Sequence, residues 1–130
     1  MAAAPDRSAV DICAYRRYIE DALEYAGHSH TFDDVAAMVA SGEAQFWPGP
    51  NSAIVTEFVL EPRTKRLNFF LAGGTLAELE AMTPLVLEWG REQGCTTASL
   101  IGRRGWERTF LSRTGWKSGL VVLEKDLTDG

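Results

Sequence analysis

A run of basic side chains, Arg103, Arg104, Arg108, Arg113 and Lys117, interleaves with Trp106, Phe110 and Trp116 near the C-terminus. Guanidinium forks hold phosphates and indoles stack bases, so the segment has the parts of an anion or nucleotide site. The same spacing also fits a helix whose aromatic face turns to a sheet while its cations stay in water. Arg103 and Arg104 stand apart from the others, because they follow an apolar run, Thr96–Ile101, with the character of a strand. Ligands of α/β sheets gather beyond the carboxyl ends of such strands. A second group, His28-x-His30 with Asp33 and Asp34, contains metal-ligating residue types, but a metal site needs three or four converging ligands. A helix stop at Gly27 and a cap at Thr31 with acidic residues in its first turn account for that segment without a metal. Ser112 and the histidines are too far apart in pattern for a nucleophilic triad. Cys13 and Cys95 are the two cysteines; they have no zinc spacing and form no disulfide framework, so reduced thiols are expected.

The chain as a whole limits what these residues can do. Its 130 residues suffice for one hydrophobic core, and 45% hydrophobic with 24% charged residues is ordinary globular usage rather than disorder. The net charge of −5 removes generic attraction to nucleic acid or anionic lipid, so neither is an expected partner. No run approaches the roughly 18 apolar residues of a membrane span. Residues 1–6 are too short and too little apolar for a signal peptide, and a cytoplasmic location is expected.

These residues must be positioned by elements that hydropathy periodicity outlines. Residues 1–10 read as a flexible arm and 11–130 as a single domain. Between Asp11 and Ala26, apolar residues recur at helical spacing. A second helix follows Thr31, with Val35, Met38 and Val39 as its apolar face. Phe46-Trp47-Pro48-Gly49-Pro50 reads either as a short strand tucking two rings into the core or as a contact surface for a partner. Ser52–Leu60 alternates as a strand, with Ile54, Thr56, Phe58 and Leu60 on one side and Ala53, Val55, Glu57 and Val59 on the other. Glu61–Lys65 is a turn, and Arg66–Leu71 completes an antiparallel hairpin. After Ala72-Gly73-Gly74, Thr75-x-x-Glu78 has the form of a capping box opening a long helix, in which Pro84 leads to a kink or restart expected near Thr83. Thr96–Ile101 is then a strand, Arg104–Thr114 a helix and Leu120–Leu127 a final alternating strand. This order implies an α/β (α+β) domain with a mixed sheet and helices on both faces. The crossover from Leu71 to Thr97 gives parallel neighbours.

From Ala44 onward this layout resembles the Gcn5-related N-acetyltransferase (GNAT) fold. The resemblance rests on the hairpin, on the strand-to-helix turn Leu71-Ala72-Gly73-Gly74-Thr75 and on the strand Thr96–Ile101 leading into a helix. It also rests on Phe110-Leu111-Ser112-Arg113-Thr114-Gly115-Trp116, which is similar to the family's closing Leu-Tyr-x-x-x-Gly-Phe segment. It implies that acetyl-CoA or CoA lies where two parallel strands splay, its pyrophosphate on the N–H groups of the following helix. The implied binding residues are Leu71, Ala72, Gly73, Gly74 and Thr75; Arg103 and Arg104 join them as candidates because they follow the carboxyl end of a parallel strand. Three departures weaken the implied chemistry. The glycine turn is shorter than the family's Gln/Arg-x-x-Gly-x-Gly/Ala signature. Leu111 stands where the family often has a tyrosine that protonates the departing thiolate, and the Asn that often follows the preceding strand is replaced by Arg103-Arg104. Glu57 is a substitute acid or base only if its strand turns it toward the site.

In overall texture the chain is also similar to small GNAT-like proteins encoded among the structural genes of tailed bacteriophages and prophages. That resemblance implies a protein partner, with phage structural proteins as candidates, and a place in the virion or the host cytoplasm. Two functions are therefore expected to compete. One is a GNAT-like binding or structural component with a degenerate acyl-CoA site and no required cofactor. The other is a working acyl-CoA-dependent N-acetyltransferase.

Overall fold

The computed structural model describes residues 11–102, 106 and 108–128; the arm expected at 1–10, and Arg103 and Arg104, lie outside them. A 3-10 turn at Ile12–Tyr15, capped by the Asp11 carboxylate, leads into α1 (Arg16–Tyr25). Helix α2 (Phe32–Ser41) opens on a reciprocal cap: Thr31 Oγ1 accepts from the Asp34 N–H at 3.2 Å, and the Asp34 carboxylate accepts from the Thr31 N–H at 2.8 Å. Two N–H groups that the helix itself cannot satisfy are thereby bonded. Asp34 is thus engaged in the cap, and His30 lies edge-on to Phe70 at 4.8 Å.

Strands β1 (Ala44–Pro48), β2 (Ser52–Leu60) and β3 (Lys65–Gly74) form an antiparallel meander. Helix α3 (Leu76–Glu92) then crosses over to β4 (Thr97–Leu100), which pairs parallel to β3 from Arg66↔Thr97 to Phe69↔Leu100. The sheet order is β1-β2-β3-β4. Alternation along β2 divides its side chains between two cores. Ala53 and Val55 join Ile19, Leu23, Val35 and Phe46 beneath α1 and α2. On the other face Ile54 and Phe58 meet Trp47, Leu67, Val86 and Trp89 beneath α3. There the rings of Trp47 and Phe58 lie 5.4 Å and 5.5 Å from that of Trp89. The buried polar groups are paired: Trp47 Nε1 donates to Thr56 Oγ1 at 3.0 Å, and that hydroxyl donates to Gln45 Oε1 at 2.8 Å. Each large apolar side chain buried this way contributes about 1.5–3 kcal/mol relative to exposure.

Of the two readings of Phe46–Pro50 the short strand holds: Phe46 and Trp47 are buried in β1 and their rings form core. Other expectations are corrected. Ala72-Gly73-Gly74 is not a turn but the end of β3, paired with β2 as far as Ser52↔Gly74. Thr75 occupies the N-cap of α3 without a side-chain cap bond. Glu78 reaches instead to the β1–β2 turn, where it accepts from the Asn51 N–H at 2.7 Å and the Ser52 hydroxyl at 2.6 Å. Helix α3 runs unbroken through Pro84. Proline removes one N–H donor there, while the neighbouring Thr83 hydroxyl donates back to the Leu79 carbonyl at 2.7 Å. The helix expected at Arg104–Thr114 is reduced, among the described residues, to α4 (Phe110–Arg113). Leu120–Leu127 is not a strand: it pairs with nothing in the sheet, and Leu120, Val121, Val122, Leu123 and Leu127 are exposed. Alternation becomes a strand only when a neighbouring edge takes it up, and the fourth strand of the sheet is β1 instead.

Candidate functional site

The site grows from one irregularity in β3. Between β2 and β3 the register steps from Val55↔Leu71 to Thr56↔Phe69, leaving Phe70 as an extra residue in β3. A bulge bends its strand and reverses which face the following side chains point to. Phe69 therefore packs beneath α3, whereas Phe70 and Leu71 pack toward α1. The last pair between β3 and β4 is Phe69↔Leu100, one residue before the bulge. Beyond it β3 continues along β2 while β4 ends, and the two parallel strands part.

A cleft of about 610 Å³ opens at this parting, within the usual range for small-molecule sites. One wall is the upper part of β3, with Leu71, Ala72, Gly73 and Gly74. Across from it stand Leu100, Ile101 and Gly102 at the end of β4, then Trp106, Phe110, Leu111 and Trp116. Phe110 and Leu111 are buried, at 3% and 5% exposure, and Trp116 lies edge-on to Phe69 at 5.7 Å. This wall is apolar and aromatic. Charge enters from α1, which presents Arg17, Tyr18, Asp21, Glu24 and Tyr25 to the cleft. Arg17 Nη2 donates to the Tyr18 hydroxyl oxygen at 2.6 Å, and its guanidinium carbon sits 4.6 Å from the centre of that ring. With its oxygen already accepting, the Tyr18 O–H is left to donate.

The glycine pair owes its composition to packing. A Cβ on Gly73 would lie 2.3 Å from the Tyr18 carbonyl oxygen, so α1 sits directly on this strand. Gly74 has φ +119°, and a Cβ there would meet Ser52 and the Asn51 carbonyl at 2.3–2.4 Å. Only glycine lets these three backbone segments approach so closely. Thr75 is not among the walls of the cleft. The α3 start is pulled toward the β1–β2 turn by Glu78, whose carboxyl is held below its ordinary range by the Ser52 hydroxyl and the Asn51 N–H.

Of the site residues expected from sequence, the structure brings Leu71, Ala72, Gly73 and Gly74 into the cleft together. Arg103 and Arg104 lie outside the described residues, although their neighbours Gly102 and Trp106 line it. Glu57 is engaged away from the cleft, accepting from Asn68 Nδ2 at 2.8 Å, while Asn68 in turn accepts from Ser99 at 3.1 Å. In the basic-aromatic run, Trp106 and Phe110 turn inward, while Arg108 is exposed and Arg113 pairs at 3.7 Å with Glu80. Missed altogether was the polar face of α1. Its signal lay in the helical spacing of Arg17, Asp21, Glu24 and Tyr25, on the side opposite the core residues Ile19 and Leu23.

The chain matches no protein-family model and no curated protein. Solved structures are similar to it. A point mutant of TTHA1254 from Thermus thermophilus superposes with a TM-score of 0.60 at 16% identity, covering 84% of this chain and 89% of that one. The tetramutant of BH1408 from Bacillus halodurans gives 0.62 at 11% identity, covering 91% and 97%. An acetyltransferase from Trypanosoma brucei gives 0.55 at 13% identity, covering 86% and 94%. With this likeness to an acetyltransferase, and with two parallel strands parting over a cleft, the chain has a GNAT-like fold: an α+β domain with a mixed four-stranded sheet and helices on both faces.

Proposed function

We propose that this protein is a binding component built on the GNAT-like fold, with an acyl-CoA site reduced in its chemistry. Leu111 carries the reading. Acyl transfer from a thioester needs a proton for the departing sulfur, and a donor must stand within hydrogen-bond reach of it. On the wall where the family resemblance puts that donor, Leu111 is buried and lies among Phe110, Trp106 and Trp116. An aliphatic side chain there supplies packing and no proton. The opposite wall supports the same conclusion. Gly73 and Gly74 are occupied by the protein's own backbone, and the first turn of α3 already holds the Glu78 carboxylate, which disfavours a second anion nearby. The protein then acts through a macromolecular partner, the role that the sequence resemblance to small GNAT-like proteins of phage structural genes implies.

One observation favours a second reading, an active N-acyltransferase. Tyr18 lines the cleft with its O–H left to donate, so in that reading α1 rather than the α4 segment supplies the acid. Isothermal titration of CoA and acetyl-CoA into the full chain separates the two. Flat heats at millimolar CoA, with no rise in melting temperature, are expected for the reduced site; a ligand at a hundredfold excess over its Kd would add about 2.7 kcal/mol of stability. Saturable micromolar binding, with acetyl transfer to an amine that Tyr18→Phe abolishes, would overturn it.

A further inference from the structure

The cleft has main-chain groups of β3 along one side that no neighbour takes up. In β2 the Ser52 carbonyl turns toward β1 and accepts from the Gly49 N–H at 2.9 Å. Main-chain groups alternate in direction along an antiparallel strand, so Ala53 is the residue that turns to β3, where it faces Gly73. Ala72, next to Gly73, therefore directs its N–H and C=O away from β2 and toward the parting of the strands. No described residue bonds them there. From Phe70 to Gly74 this side of β3 runs about 15 Å, enough for a few extended residues.

The two faces of that slot differ in chemistry. Trp106 and Trp116, packed against the core beneath α3, line one of them. Helix α1 lines the other with Asp21 and Glu24, one turn apart and both exposed. Arg17 stands four residues before Asp21, at ion-pair spacing, yet its guanidinium lies on the Tyr18 ring and bonds that hydroxyl instead. Asp21 and Glu24 have no ion pair among the described residues. The carbonyl end of α1 adds to the same sign. Its last turn contains Glu24 and no basic residue, although cations are what such an end favours.

We infer that the cleft takes an extended segment of a partner protein, paired through its main chain with β3 at Ala72 and alternating basic with apolar side chains. An added strand sends successive side chains to opposite faces. The basic ones then meet Asp21 and Glu24, and the apolar ones meet Trp106 and Trp116. This rests on the reduced-site reading above and gives the chemistry of the partner, since a strand and a thioester would compete for one space.

Isothermal titration of the full chain with two short blocked peptides tests it, one alternating leucine with lysine and the other leucine with glutamate. Saturable binding of the lysine peptide alone is expected. The double variant Asp21→Asn with Glu24→Gln should weaken that binding about fivefold or more. Both carboxylates are exposed, so its circular dichroism should match the wild type. Two further lysine peptides, N-methylated at every leucine or at every lysine, read the strand pairing. One should lose binding and the other keep it, because only alternate N–H groups face β3. The two responding alike would overturn the inference, and so would equal binding of the glutamate peptide or an affinity unmoved in the double variant. Flat heats for the lysine peptide and CoA alike would overturn it and leave the reduced-site reading standing. Micromolar CoA binding with acetyl transfer would overturn that reading, and this inference with it.

Discussion

Strand β3 behaves differently on the two sides of Phe70. From Lys65 to Phe69 it has β2 on one side and, from Arg66 onward, β4 on the other, with Leu67 and Phe69 buried under α3. From Leu71 to Gly74 it keeps β2 alone, and its free side borders the cleft. In the first part Leu67 and Phe69 answer to packing, while Asn68 bonds to Glu57 and Ser99 across the neighbouring strands. In the second part α1 and the β1–β2 turn press on the strand itself, so side chains shrink to glycine at positions 73 and 74. A single extra residue, with no change of strand direction, makes the difference.

The largest expected effect lies in the first part. Leu67 is 1% exposed, and Leu67→Ala should lower the free energy of unfolding by about 2–5 kcal/mol, read by urea denaturation, because the cavity left under α3 cannot fully collapse. In the second part the damage comes from adding atoms. Gly73→Ala should cost about 1–3 kcal/mol, since a Cβ 2.3 Å from the Tyr18 carbonyl forces α1 off the strand. If Gly73→Ala is neutral in the same assay, α1 is not seated on β3 as described and the α1 wall of the cleft is misplaced. For the same reason a bulky substitution at Gly74 would report on folding before it reported on any anion.

Smaller effects sharpen the comparison at the helix starts. Thr31→Ala should cost about 1 kcal/mol, because its hydroxyl closes the α2 cap. Thr75→Ala at the start of α3 should cost no more than about 0.5 kcal/mol, within the range for a substitution that removes no cap bond. Equal losses in chemical denaturation would contradict that difference. The smallest effect is the pH dependence of the Glu78 clamp. Its folded-state pKa is lowered, so its stabilising contribution is complete above the unfolded value of about 4.3 and disappears as pH falls through the folded one. Melting temperature should therefore decline on acidification below about pH 4.3, and Glu78→Gln should make that decline shallower. A decline unchanged by the substitution would place the responsible carboxylates elsewhere.

Much of the fold was legible in local pattern. Period-two alternation in Ser52–Leu60 assigned Ala53 and Val55 to one core and Ile54 and Phe58 to the other, because burial parity along a strand is a local property. Thr31 with Asp33 and Asp34 marked a helix start for the same reason. The helical crossover expected between Leu71 and Thr97 made parallel neighbours of Lys65–Gly74 and Thr97–Leu100, since parallel strands need such a connection. The site was half legible: residues 71–74 could be placed at the parting of two strands, but not the reason for their glycines.

What tertiary structure alone decided depends on contacts between segments far apart in sequence. The bulge at Phe70 follows from a register mismatch between β2 and β3, and nothing in Asn68-Phe69-Phe70-Leu71 marks it. Glu78 has the spacing of a capping-box partner, yet the β1–β2 turn competes for its carboxylate with three donors, the Asn51 N–H, the Asn51 amide and the Ser52 hydroxyl. The polar face of α1 became a cleft wall only when Gly73 allowed the helix to sit on β3. Leu120–Leu127 has the alternation of a strand, yet among the described residues it pairs with no strand of the sheet. Sequence by itself determined its alternation, which is a local property, whereas strand pairing is a property of two edges and not of one.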